Sequence, residues 1–291
     1  MNSSSYPKIS VVTPVYNQVD FIESTIRSVL DQTYPNVEYI IIDGASTDGT
    51  IEIIQTYKDQ IHKIISEPDN GMYDALNKGL QLATGDIMCW INSDDILLPN
   101  SFDQMAKLFQ DLQHVNWVQG LNSFIDLNDK IIDQRQPTRF SYIKVLSGHY
   151  RWIQQESTFW RRSLWEDSGA YVDTNYKLAG DFELWCRFFQ KTELYTTDIP
   201  IGAWRKREGQ LSGSQMDGYL EEVNQALRNQ PITVEHSSIL RKIKRYSRIR
   251  RLLQWLGRTQ TKRYKRKIEG LFQLGQTEIG YSSKKNRFHI K

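Results

Sequence analysis

Two hydrophobic rhythms alternate along the first hundred residues. KISVVTPV (8–15) is apolar, β-branched and ended by a turn, which reads as a buried strand. In DFIESTIRSVLDQ (20–32), Ile22, Ile26, Val29 and Leu30 recur at helical spacing on one face. VEYIIID is almost continuously apolar, as expected of a strand buried on both faces of a parallel sheet. The pattern then predicts a helix from about Asp48, a short strand at 63–66, a helix over 72–83 and a strand over DIMCWIN (86–92). Strands alternating with helices of this length build βαβ units and a doubly wound α/β sheet.

Beyond Pro99 the rhythm loosens. A helix is expected near 100–112, a strand at 115–121, and strand-like pieces around Phe124 and Ile131. Helices follow at 161–168 and 180–190, then a strand near 199–205 and a helix at about 215–229. Pro231 marks the best boundary, giving a body over 1–230, divisible near residue 100, and a tail over 231–291.

Composition excludes several classes. With 39% apolar and 24% charged residues in 291, the chain is neither collagen-like, disordered nor disulfide-rich. A chain this long builds its core without a metal or disulfide staple. Cys89 and Cys186 have no metal-like spacing, and a reducing cytosol is the simpler expectation. No stretch reaches the roughly 18 apolar residues of a membrane span. MNSSSYPKIS carries no apolar h-region, so the expected location is cytoplasmic. The net charge of +3 hides an asymmetry: residues 241–291 hold 17 Lys plus Arg against Glu269 and Glu278, or +15. The preceding 240 residues hold 20 basic and 32 acidic side chains, or −12. Such a split suggests a globular body followed by an interaction tail.

In open α/β sheets, ligands collect outside the carboxyl ends of the strands. Polar residues cluster there: Thr13-Pro14-Val15-Tyr16-Asn17, Asp43 through Thr50, and Asn92-Ser93-Asp94-Asp95. Ser46, Thr47 and Asp48 also suit a turn and helix cap, and capping is the stronger reading for that cluster alone. Asp94-Asp95 by itself is a weak signal. Together, however, acidic and amide-rich turns at one sheet edge suit a phosphorylated ligand with a hard cation, which one or two carboxylates would hold.

The run ISVVTPVYNQVDFIESTIRSVLDQTYPNVEYIIIDGASTDGT, then SEPDNGMYDALNKGLQLATGD, then INSDDILLP, resembles family 2 glycosyltransferases of the GT-A fold, densely over 8–100 and continuously to about 215. The resemblance implies inverting transfer of a sugar from a nucleoside diphosphate sugar, such as a UDP-sugar, to an acceptor hydroxyl. It assigns the nucleotide sugar to 1–100 and the acceptor to 101–230. Carried onto this sequence, Pro14 and Tyr16 would lie against the base, and Asp43 would fix base or ribose. Asp69 and Lys78 would line the nucleotide side, whereas Asn77 and Gly79 suit helix packing. Ser93-Asp94-Asp95 stands where the family has Asp-x-Asp: Asp95 would ligate Mg2+ or Mn2+, and Asp94 would contact ribose or metal-bound water. Gly180-Asp181 occupies the place of the usual Glu-Asp, leaving Asp181 as the base; its alternative role is a helix N-cap. Gln155 and Glu156 take the places of a His-Gln pair facing the acceptor. In Trp204-Arg205-Lys206-Arg207-Glu208-Gly209-Gln210, Arg207 replaces a metal-ligating His and would hold diphosphate instead, while Arg205 would face acceptor or diphosphate. Trp152, Trp160, Trp165, Trp185 and Trp204 could stack on sugars, though most such residues are core. Metal dependence is expected to be modest. A sugar nucleotidyltransferase lacks support, since no Gly-rich, basic N-terminal phosphate loop is present.

ILRKIKRYSRIRRLLQWL (239–256) places Ile239, Ile243, Tyr246, Ile249, Leu252, Leu253 and Leu256 at three- and four-residue steps between seven cations. A basic amphipathic helix of this kind fits an anionic membrane surface, with 262–267 extending the patch. Lipid-linked acceptors of the resembling family favour the inner membrane face. The alternative is an apolar stripe packed on the body. A non-catalytic membrane or nucleic-acid binder would also carry such a tail, but no nucleic-acid recognition motif accompanies it.

Overall fold

The computed structural model describes residues 6–150, 153–207, 215–256 and 261–291. At its centre is β1 (Ile9–Val15), every residue of which is buried. β1 pairs in parallel with β2 (Val37–Asp43), from Ile9↔Val37 to Val15↔Asp43, and β2 pairs with β3 (Lys63–Ser66). The chain reaches β2 through α1 (Ile22–Leu30) and β3 through α2 (Thr50–Thr56), and returns through α3 (Met72–Leu82) to β4 (Ile87–Trp90) on the other side of β1. That reversal is the topological switch point at which open α/β sheets bind ligands. Gly79 lets α3 lie flush on the sheet, since a Cβ there would sit 2.4 Å from Val12 Cγ1. Asn77 braces α3, donating to Val172 O (2.8 Å) and accepting from Val172 N (2.7 Å).

The second half adds β5 (Ile96–Leu97), α4 (Ser101–Asp111), β6 (Trp117–Gln119), β7 (Asn122–Ile125), β8 (Ile131–Arg135) and α5 (Tyr142–Leu146). It continues with β9 (Thr158–Arg161), α6 (Arg162–Asp167), α7 (Gly180–Phe189), β10 (Tyr195–Thr197), β11 (Gly202–Arg205) and α8 (Met216–Arg228). β9 inserts antiparallel between β4 and β6. The last 58 residues are not helical throughout. α9 (Val234–Trp255) and α10 (Thr261–Leu271) are followed by β12 (Glu278–Ser282) and β13 (Arg287–Ile290), which join the main sheet beside β10. That sheet runs β13-β12-β10-β6-β9-β4-β1-β2-β3, and β5-β11-β7-β8 form a second sheet.

Ile279 and Phe288 carry the terminal hairpin into the core, at 0% and 5% exposure. α9 uses its apolar stripe in part on the protein itself: Ile239 and Ile243 bury with Ile143 of α5 and with Ile268 and Phe272.

Candidate active site

Three strand ends and one helix start converge. The turn after β1 is cross-linked to the turn after β2: Asn17 N donates to Ser46 Oγ (2.8 Å), Thr47 N to Asn17 Oδ1 (2.9 Å), and Val19 N to Asp48 Oδ2 (3.1 Å). Asp43, fully buried, accepts from the amide and hydroxyl of Ser46 and from Ser66 Oγ (2.6 Å). Its carboxylate thus shapes the loop facing the switch point. Pro14 is buried within β1 just before it, and Tyr16 stands 60% exposed at its mouth. Asp69 packs against Gly44, where a Cβ would lie 2.6 Å from its Oδ2, and accepts from Gly71 N (2.8 Å). Lys78 is ion-paired with Glu67 (2.8 Å) at the surface of α3.

After β4, Ser93 is buried and the chain turns at Asp94-Asp95. Asp95, 1% exposed, accepts from Arg205 N (2.8 Å) and from Asn92 Nδ2 (3.3 Å). Burial raises its pKa well above the usual carboxylate range, and the Glu156 and Asp94 carboxylates add to this. Glu156 is also buried and pushed up, by burial first and by its acidic neighbours Asp94 and Asp181 as well, although Gln154 Nε2 donates to it (2.6 Å). Gly202 admits the main chain of Glu156, because a Cβ there would lie 1.9 Å from its carbonyl oxygen. Gln155 donates to Trp90 O and so props the end of β4.

The two arginines divide their work. Arg205, expected at the diphosphate or acceptor, is instead 1% exposed: it donates to Asp94 O (2.6 Å) and Asp126 O (3.0 Å) and ion-pairs with Asp129. It is part of the wall that fixes the Asp94-Asp95 turn. Arg207 ion-pairs with the Asp94 carboxylate (2.8 Å) and packs over Phe21, so a guanidinium stands beside the acidic turn.

A trio of His, Cys, Asp or Glu arranged for a metal is absent among the described residues. The oxygens present nevertheless fit a hard cation that draws most of its ligands from diphosphate and water. Mutually repelling Asp94, Asp95 and Glu156 are relieved by positive charge, and the buried Asn92 Oδ1 beside Asp95 lacks a hydrogen-bond partner among the described residues.

Asp181 opens the first turn of α7 without capping it; Ala179 holds the N-cap position. Its Oδ1 accepts from Phe182 N (2.7 Å) and from Tyr73 OH (3.5 Å). Among the described residues no other residue donates a hydrogen bond to this carboxylate. Burial pushes its pKa up to about 6 against those bonds. Gly180, where the family motif has an acid, is required by packing: a Cβ would lie 2.8 Å from the Tyr73 ring. Glu222 of α8, unmarked by any sequence signal, holds the approach to α7 by accepting from the amides of Lys177, Leu178 and Ala179 at 2.8–2.9 Å. Of the tryptophans, Trp160 and Trp185 pack with Trp90 and Trp117 in a buried cluster, Trp165 is buried, and Trp204 meets Phe124 edge-on. Trp152, Glu208, Gly209 and Gln210 lie outside the described residues.

Comparison with known proteins bears on this geometry. The sequence profile described as glycosyl transferase family 2 matches residues 10–169. A putative teichuronic acid biosynthesis glycosyltransferase of Bacillus subtilis, TuaG, is 46% identical over 92 residues, 31% of this chain and 36% of that protein. An uncharacterized glycosyltransferase of Mycobacterium tuberculosis, Rv1514c, is 31% identical over 184 residues, 62% of this chain and 68% of that protein. Among solved structures, S. aureus TarS 1-349 in complex with UDP-GlcNAc superposes with a TM-score of 0.63 at 18% identity, covering 80% of this chain and 70% of that one. The mannosyltransferase PcManGT of Pyrobaculum calidifontis, in complex with GDP-Man and Mn2+, gives 0.61 at 21% identity, covering 82% and 69%. At these identities the likeness establishes the shared fold.

Proposed function

Because the chain belongs to glycosyl transferase family 2, we propose that it moves a sugar from a nucleoside diphosphate sugar, of the UDP class, to a hydroxyl of a glycan or lipid-linked acceptor, with inversion. The observation that supports this reading most is that the buried Glu156 carboxyl feels both Asp94, which Arg207 ion-pairs, and Asp181. The UDP class draws support from TarS, whose structures hold UDP-GlcNAc and UDP. A role in cell-surface polysaccharide draws support from the TuaG relative.

Pro14, Tyr16, Asp43, Asp69 and Ser93 would bound the nucleotide. Mg2+ or Mn2+ would be held by Asp95, with Asp94 beside it, and would neutralise charge on the departing diphosphate. Arg207 supplies a second cation there, which would make the metal dependence modest. Asp181 Oδ2 would accept the proton of the acceptor hydroxyl as its oxygen bonds to the anomeric carbon, while the bond from that carbon to the diphosphate oxygen breaks. A carboxylate with a pKa of about 6 suits a general base, being ionised at neutral pH yet basic enough to take the proton. Glu156 and Gln155 would line the acceptor side. The described residues include no helix long and apolar enough to cross a membrane, and peripheral attachment at the cytoplasmic face is inferred from the basic helices.

Release of free nucleoside diphosphate from a panel of UDP-, GDP- and dTDP-sugars, with and without Mn2+, tests the reading. Turnover of at least one donor is expected, together with its loss in Asp95→Ala. Release of pyrophosphate, or donor turnover unaffected by Asp95→Ala, would overturn it.

A further inference from the structure

Among the described residues, the inner face of α9 is occupied and its outer face is exposed. Ile239 and Ile243 point into the protein, and Tyr246 meets Tyr264 of α10 at 5.9 Å between ring centres. With 3.6 residues per turn, the opposite face is the run Arg241, Arg245, Arg248, Leu252, Trp255 and Leu256, mostly at steps of three and four. Its two ends differ in chemistry. Arg241, Lys244, Arg245 and Arg248 line a shallow depression of about 450 Å³ with Ile249. One turn further on, Leu252, Trp255 and Leu256 stand 55%, 82% and 52% exposed. A second depression of about 530 Å³, between α9 and the end of α5, carries Arg250 and Arg251 on its rim.

We propose that this outer face is a membrane-docking surface for a bilayer of anionic phospholipid, with the cations on headgroup phosphates and Leu252, Trp255 and Leu256 entering the acyl boundary. Charge complementarity selects the occupant. Residues 241–267 contain 13 Lys plus Arg, and no acid occurs from His236 to Ile268. A protein partner would have to match a uniformly cationic stripe that ends in bare apolar side chains. A bilayer interface offers both layers in that order, and tryptophan at the boundary between them suits its apolar ring and polar N–H. A nucleic acid would engage the cations but leave Leu252, Trp255 and Leu256 in water. The inference rests on the peripheral attachment read above and names its surface, but it does not depend on the sugar-transfer reading, which donor turnover tests separately.

Vesicle co-sedimentation of the full chain tests it without turnover. The wild type should pellet with phosphatidylcholine–phosphatidylglycerol vesicles (about 2:1), less so at high salt, and stay in solution with phosphatidylcholine alone. The quadruple variant R241Q/K244Q/R245Q/R248Q should bind at least roughly tenfold more weakly. The triple variant L252S/W255S/L256S should retain salt-sensitive binding but lose the blue shift of tryptophan emission on binding, as should W255F alone. All seven side chains face outward, and unchanged circular dichroism and melting temperature would show the folds intact. Equal binding to both vesicle types, binding indifferent to the quadruple variant, an emission shift that persists in the triple variant or in W255F, or failure to bind anionic vesicles would overturn the proposal. So would a DNA or RNA duplex that binds more tightly than vesicles at equal salt and leaves Trp255 emission unshifted.

Discussion

Replacing Asp181 by Asn should destroy activity and stabilise the protein, a combination expected of a functional group and not of a structural one. Burial holds the Asp181 carboxyl at about 6, against an ordinary value of 3.8. A gap of about 2 units corresponds to about 3 kcal/mol. The sign follows from proton binding. Between pH 3.8 and 6 the folded state keeps a proton that the unfolded state releases, so stability falls as pH rises through this window, and the full cost is present at pH 7. An amide carries no charge to desolvate. Asp181→Asn should therefore unfold at higher denaturant than wild type at pH 7, by up to about 3 kcal/mol, with the difference fading toward pH 4. Turnover should fall by about 10²–10⁴-fold. The wild-type rate should itself drop with acid: with a pKa of about 6, about a tenth of the base is ionised at pH 5, against about nine tenths at pH 7. Equilibrium denaturation at several pH values, paired with single-turnover rates, reads both effects. An acid limb near pH 4, or an Asp181→Asn protein less stable than wild type at pH 7, would refute the reasoning.

Three other substitutions follow from contacts elsewhere. Glu38 is buried: burial pushes its pKa up, but bonds from Lys8, Ser10 and Thr84 more than reverse this, to about 2. Its stabilisation is present above the ordinary 4.5 and is lost as pH falls toward 2, so Glu38→Gln should cost about 2–3 kcal/mol at pH 7 and flatten acid denaturation monitored by circular dichroism. Gly180→Ala drives a methyl into the Tyr73 ring and displaces Asp181, so kcat should fall at least about tenfold while donor affinity by calorimetry is unchanged. Arg207→His removes the guanidinium beside Asp94 and supplies an imidazole, so Mn2+ titrations after chelation should show a much stronger metal requirement than in wild type.

Legibility in the sequence tracks burial. β1 and β2 are plain because their residues are almost wholly apolar, a direct consequence of lying between helix layers. Gly79 and Asn77 serve packing, as expected, because their contacts are made by one helix against its immediate support. β9 escapes the periodicity because TFWR is four residues long and its place between β4 and β6 is decided by chain segments about 40 and 70 positions away. β12 and β13 are hidden by charge: the cations of the tail obscure the alternation that buries Ile279 and Phe288. Among polar residues, the Asp94-Asp95 turn and Asp181 stand out through motif order. Glu222 does not, because its three amide partners lie 43–45 residues away and nothing in LEEV distinguishes it from a solvated helix acid. Arg205 suggests a ligand contact, yet among its partners are the backbone of Asp94 and Asp126 and the carboxylate of Asp129. Sequence marks an arginine near an acidic turn without saying which side of the wall it faces.

In the proposed reaction Asp181 acts as a lone base in a single displacement. The anomeric configuration of the glycoside product, read from its proton NMR coupling, tests this most directly. From an α-linked nucleotide sugar a single displacement predicts a β-linked product, formed at least about 100-fold more slowly in Asp181→Asn. An α-linked product would require two displacements or a different attacking face, and would contradict it.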